Sequence, residues 1–339
     1  MSPNGCVKAK SEKISLANQW VGRLGSAARM RACKYDVLRE VWKSVAVPSI
    51  MYGMDVMAWS ESEVDRLEVG QNKVARMALN APRYAAIEAL RGDMGWSSFR
   101  ERQVKATLRF KVRLERMEDT RIARKIYLWN LRSSKWVKKC GEMVDRNARL
   151  SRRVYHRDNV SEWRVLNRNN EGSEWDMRKW RSEIDRAVKC AGLSKWKNEM
   201  ERKKTLEWYR EKEAPKHERW YEGSLGGDLL FRARAQCMDV NARNYRWSES
   251  HSKVCQMCDM GEDETVEHVI LECEKYDRDR MEMMRVILTE MGCDMNEVVE
   301  RTGREWMVLL LGLCGETNER MIVAVKEFLE KMWCARRRE

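Results

Sequence analysis

The run Cys255-x-x-Cys258, followed after nine residues by His268 and after four more by Cys273, constrains this chain more than any other feature. Zn²⁺ favours four soft or borderline donors at the corners of a tetrahedron, and a Cys-x-x-Cys turn can place two thiolates along one edge. His268 and Cys273, from the start of a helix, would supply the other two corners. Three sulfurs and one imidazole fill every position and leave none for an activated water. The expected ion is therefore structural Zn²⁺, holding a fold together. The alternative is a set of ordinary thiols that lie close in sequence, but acidic residues and Gly261 fill the gap where a ligand loop belongs.

The rest of the chain reads as helical. Only four prolines occur in 339 residues, at positions 3, 48, 82 and 215, which favours long uninterrupted helices. The expected fold class is mostly α. Eleven Cys with no signal peptide fit a reducing intracellular setting without disulfides. The apolar stretch from Met307 to Cys314 is far too short to span a bilayer, so a soluble protein with no membrane partner is expected.

Charge is unevenly distributed. Residues 1–130 carry 24 Lys and Arg against 14 Asp and Glu, and residues 131–250 carry 29 against 19. Residues 251–339 reverse the balance, with 13 against 20. The basic surface thus lies ahead of the zinc motif. Surpluses of this size suit nucleic-acid phosphates, whose condensed counterions are released on binding, although they also serve simply as solubilising surface.

Leu38, Val41, Trp42 and Val45 mark one helix face, which Pro48 should stop. Ser60 and Glu63 form a capping box for a second helix with Val64, Leu67, Gln71, Val74 and Ala78 on one face, ending before Pro82. Residues 99–118 alternate as a strand would, yet their length and lack of turn residues favour a helix. On a helix, Arg102, Lys105, Arg109, Arg113 and Arg116 form one basic stripe able to follow a phosphate backbone, or else a solvated face paired with Glu101, Glu115 and Glu118. From Ser133 to Lys204 the chain is polar and basic with isolated Trp residues, as in a linker or loosely packed helical region. Those Trp residues suit anchors that dock a helix to a core, or platforms for stacking bases. Asp294 and Glu297 suit a cap ahead of Trp306, and Thr317 a cap ahead of Met321, Ile322, Val325, Phe328, Leu329, Met332 and Trp333, a helical core face. Arg336, Arg337 and Arg338 read as a frayed, solvated end.

Several strings, in order, resemble the reverse transcriptases of non-LTR (LINE-type) retrotransposons after the polymerase palm. The stretch from Val47 to Pro82, with Tyr52, Gly53, Trp59, Leu67, Gln71 and Arg76, looks like that family's thumb. The string from Leu229 to Trp247, with Leu230, Arg232, Arg234, Asn241 and Tyr245, is similar to the one preceding the family's zinc motif. The motif itself follows with Tyr276 and Arg280, then a closing helix. The resemblance implies a thumb-like helical domain over 1–130, a charged helical linker over 131–225 and a zinc module with closing helices over 226–339. It also implies RNA or an RNA/DNA duplex as partner and a nuclear location. The family's polymerase carries an adjacent Asp pair for its metal ions, and this sequence has none; the Pro-Asp start of the endonuclease found in some relatives is missing too.

The leading expectation is a non-catalytic fragment of a retrotransposon RNA-directed DNA polymerase, binding nucleic-acid backbone. The alternative is a zinc-containing protein-interaction scaffold, docking a protein partner through the zinc module and closing helix. An enzymatic reading would need a metal cluster such as Asp55, Asp65 and Glu68.

Overall fold

The structure, a computed structural model, describes residues 3–29, 34–131, 133–143, 177–247, 249–292 and 301–337. Thirteen α-helices can be followed through them. They are α1 (Pro3–Ala27), α2 (Lys34–Val41), α3 (Val47–Met51), α4 (Glu61–Ala78), α5 (Ile87–Met94), α6 (Phe99–Glu115) and α7 (Ile122–Trp129). After them come α8 (Met177–Glu201), α9 (Leu225–Arg234), α10 (Asn241–Arg246), α11 (Asp277–Met291), α12 (Gly303–Leu310) and α13 (Glu319–Arg336). Extended pairing among the described residues is limited to one antiparallel bridge, Val254 with Asp263. The mostly α class expected from proline scarcity is what the chain adopts.

Two compact units form, each from three stretches of chain. One comprises Met1–Arg23, Glu40–Gln71 and Ser97–Asn198, the other Leu24–Arg39, Asn72–Trp96 and Glu199–Glu339. These do not coincide with three consecutive segments divided near 130 and 225.

In the first unit, Trp42, Ala46, Ile50, Met54, Leu67 and Phe99 are buried together with Gln71. The Gln71 side chain accepts from Trp42 Nε1 (3.3 Å) and donates to the Ser97 carbonyl (3.2 Å), so this buried amide is paired. Pro48 does not stop the helix as expected. A π-helical turn over Trp42–Ala46 lies just upstream, where a regular helix would drive the proline ring into the Ser44 carbonyl, and α3 continues with Pro48 in its first turn. The wider turn also rotates the buried face, which passes to Ala46, Val47 and Ile50 and leaves Val45 exposed. The Ser60–Glu63 capping box forms as read, with Ser60 N donating to Glu63 at 2.7 Å and Glu63 N to Ser60 Oγ at 3.3 Å.

Residues 99–115 are helical, capped by Ser98, which accepts from Glu101 N. Val104 and Leu108 of α6 form a cluster with Ile184 and Val188 of α8. Over 177–201 the supposed linker is thus a packed helix, whose core positions are diluted by the charges between them. The described Trp side chains of this region are anchors. Trp196 is buried, and Trp136 donates to the Asp55 carbonyl (2.8 Å) while meeting Phe110 and Tyr127 edge-on. Trp163 and Trp175 lie outside the described residues.

The second unit is built on the crossing of α9 and α11 with α13. A Cβ on Gly226 would lie 2.7 Å from the Lys326 carbonyl oxygen, so only glycine allows α9 to approach α13 this closely. The expected face of α13, from Met321 to Trp333, is buried throughout. Its cap is Asn318, which accepts from Met321 N; Thr317 instead donates to the Leu309 carbonyl. Helix α12 is capped by Thr302 in a capping box with Glu305, while Asp294 and Glu297 lie outside the described residues.

At the centre of this unit Asp93 and Arg234 are fully buried. Arg234 Nε donates to Asp93 Oδ2 (3.0 Å) and Nη2 to Oδ1 (2.9 Å), while Tyr209 and Tyr221 also donate to the carboxylate. The remaining guanidinium nitrogen donates to the carbonyls of Leu311 and Gly312. Such a bidentate pair tolerates burial because every guanidinium nitrogen has a hydrogen-bond partner.

Candidate metal centre

The four motif residues come from two short structures. The Val254–Asp263 bridge, with Cys255 N donating to the Glu262 carbonyl (2.8 Å) and Glu264 N to the Lys253 carbonyl (2.8 Å), folds the Cys255–Cys258 loop back on itself. Gly261, at φ +71°, makes the reversal possible. A π-helical turn over His268–Glu272 carries the second pair. Thr265 Oγ1 accepts from His268 N (3.0 Å) at its start, and Cys273 N donates to the His268 carbonyl (2.7 Å) at its end.

Glu264 fixes this assembly to its surroundings. Its buried carboxylate accepts from Asn241 N at 2.7 Å and pairs with Arg336 at 2.8 Å. Arg336 is therefore tied to the centre and is not the frayed end its sequence suggested. Arg337 lies over the Trp333 ring, and Arg338 lies outside the described residues. Arg280, a residue of the family-like string, donates to the Cys273 carbonyl.

The donor atoms converge. Cys255 Sγ, Cys258 Sγ, Cys273 Sγ and a His268 ring nitrogen all lie within 4.8 Å of one another. Cys255 Sγ and Cys273 Sγ are 3.9 Å apart, and Cys258 Sγ and His268 Nε2 3.4 Å. A tetrahedral zinc with ordinary bond lengths requires edges of about 3.8 Å between sulfurs and about 3.6 Å between sulfur and nitrogen. The residues fit the ion. Burial pushes the Cys255 thiol up and the Cys273 thiol up to about 12. A dication at the centre inverts that preference and takes the ligands as thiolates.

Sequence reading missed the outer carboxylates. With Nε2 turned to the sulfurs, His268 Nδ1 is a buried nitrogen with no hydrogen bond, lying 3.4 Å from Glu272 Oε2 and 3.5 Å from Glu262 Oε2. A metal-bound imidazole carries its proton on the other nitrogen, and nearby carboxylates orient that N–H. The signal was the Glu four residues after His268, within one turn of a helix.

The basic stripe lies on one side of α6, away from Val104 and Leu108, but several members are engaged. Arg102 donates to Gln71 Oε1 (2.6 Å), Arg109 pairs with Asp185, and Arg113 lies over the Phe110 ring. Lys105 is half-buried, and Arg113 and Arg116 are exposed. Of the expected acidic partners, Glu101 accepts from Ser98 Oγ at the helix start (3.1 Å), and Glu115 binds Lys111 and Tyr127. Asp55, Asp65 and Glu68 form no metal cluster among the described residues. Asp65 pairs with Arg100 (3.3 Å), and Glu68 accepts from Arg100 N (3.2 Å). No helix among the described residues is long and apolar enough to cross a membrane.

Searches among protein-family models, curated proteins and solved structures find no match.

Proposed function

We propose that this chain is a non-catalytic, nucleic-acid-binding part of a retrotransposon reverse transcriptase, carrying a structural Zn²⁺ on Cys255, Cys258, His268 and Cys273. The observation that carries this reading is the convergence of those four side chains at tetrahedral spacing. Of the features that make up the resemblance, this one makes the most specific demand on three-dimensional arrangement. Nucleic-acid backbone is gripped by α6 and its C-cap, with Arg109, Arg113 and Arg116 as exposed cations and Lys105 beside them, and without reading of base sequence. RNA or an RNA/DNA duplex is the partner, in the nucleus.

Two measurements test the reading. Metal analysis of the purified protein should give one zinc per chain. Fluorescence anisotropy with an RNA/DNA hybrid should show binding at low salt that weakens as salt rises. Absence of zinc, or of binding at low salt, refutes it.

A protein-interaction scaffold is the second reading, and α7 favours it. Ile122 and Trp129, 76% and 88% exposed, share one helical face with exposed Ile126 at spacings of four and three. Under this reading, replacing all three by Ser abolishes protein docking and leaves hybrid binding unchanged.

A further inference from the structure

The second unit, though built around the acidic zinc region, carries a cationic aromatic patch beside it. Helix α10 places Arg243, Arg246 and Trp247 at spacings of three and four, so that they share one side of the helix end. The Arg243 guanidinium lies over the ring of Tyr84, 3.6 Å from its centroid. Tyr84 is 51% and Trp247 68% exposed, and Arg83 and Arg246 are exposed as well. Arg243 is also balanced by Glu249 at 3.5 Å, and its Nη1 donates to Asn244 (2.7 Å), which leaves the guanidinium plane fixed against the tyrosine.

Large aromatic rings at such exposure are costly to leave in water and useful where a flat, apolar ligand can cover them. Unpaired bases are such ligands. Stacking on aromatic and guanidinium planes, with Arg side chains neutralising the phosphates between, is how sequence-tolerant single-strand sites are built. A duplex keeps its bases stacked inside and offers these rings nothing. We propose that Tyr84, Arg243 and Trp247, flanked by Arg83 and Arg246, form a stacking site for a single-stranded stretch of nucleic acid. This rests on the nucleic-acid reading above and adds to it a second contact of different chemistry, on a different unit from α6.

The test compares two fluorescein-labelled probes, an oligothymidylate of about 20 nucleotides and a blunt RNA/DNA hybrid of similar length, on the full chain at low salt. Trp247→Ala and Tyr84→Ala should each weaken oligothymidylate binding about tenfold, Trp247→Phe should retain most of it, and hybrid affinity should stay as in the parent protein. Equal zinc content and circular dichroism show that the exposed-site variants fold. If the parent protein binds hybrid but not oligothymidylate, or if the Ala variants bind oligothymidylate as the parent does, the stacking site is wrong and the nucleic-acid reading stands. If neither probe binds, the nucleic-acid reading falls and this inference with it.

Discussion

Glu272 and Glu262 are the carboxylates beside His268 Nδ1, and a buried imidazole that gives Nε2 to a metal must hold a proton on Nδ1 and needs an acceptor for it. Replacing Glu272 by Gln should therefore lower zinc affinity about tenfold, read by competition with a chromophoric chelator, with little change in secondary structure. Asp93 is the other residue on which much depends. Burial alone would raise its carboxyl, but the Arg234 guanidinium and the Lys212 ammonium outweigh burial and hold it at about 2. Its folded value lies below the ordinary unfolded value of about 3.9, so its contribution is complete above about pH 4 and is lost as pH falls towards 2. That contribution is on the order of 2 kcal/mol. Asp93→Asn should cost about 3–5 kcal/mol in denaturant unfolding at neutral pH, since it leaves Arg234 buried without its counter-charge, and should remove this part of the acid sensitivity. The two sites differ in how far sequence could show them. All four metal ligands fall within one short motif whose spacing is set by coordination chemistry. Asp93 and Arg234 lie far apart in sequence, and neither spacing nor periodicity links them.

Helix α6 was legible from its length and lack of turn residues, although its apolar residues alternate as in a strand, whereas the roles of its cations were not. Periodicity places five cations on one face, but only the tertiary partners Gln71 and Asp185 reveal that Arg102 and Arg109 are engaged. Arg113 and Arg116, both exposed, should matter more for phosphate contact than the half-buried Arg102 and Lys105. Arg113→Ala and Arg116→Ala should each reduce the slope of log affinity against log salt by about one, while Arg109→Ala should change it less and lower stability by about 0.2–1 kcal/mol. Helix α8 was misread for the converse reason. Ile184 and Val188 are one helical turn apart, yet charges on every side of them hid a packed face. Ile184→Ala should cost about 2–5 kcal/mol in equilibrium unfolding, a loss no loosely packed linker would show. The π turn ahead of Pro48 was invisible as well, because proline rules describe regular helices and not the wide turn that relieves the clash.

For the whole molecule, the metal centre and the unit that holds it obey different length rules. The four candidate ligands span Cys255 to Cys273 and their loop is closed by its own backbone bonds, so the capacity to hold a metal ion is a local property. The packing around it is not, since Arg234 needs Asp93 and the two tyrosines, and Tyr35 donates to the Asp93 carbonyl (2.8 Å) from still earlier in the chain. A fragment of residues 226–339 should accordingly retain the ligands, yet it removes Asp93, Tyr209 and Tyr221 and leaves the Arg234 guanidinium without its counter-ion. That fragment should bind one zinc by metal analysis but unfold without a cooperative thermal transition, whereas the full chain should show such a transition, shifted down by chelation of the metal. A cooperative transition in the fragment would mean that the core closes within the C-terminal stretch and that the Asp93 network is incidental to it. The zinc motif is readable in isolation because a metal brings its own organising energy to a short loop, while the unit around it depends on pairings that only the folded chain brings together.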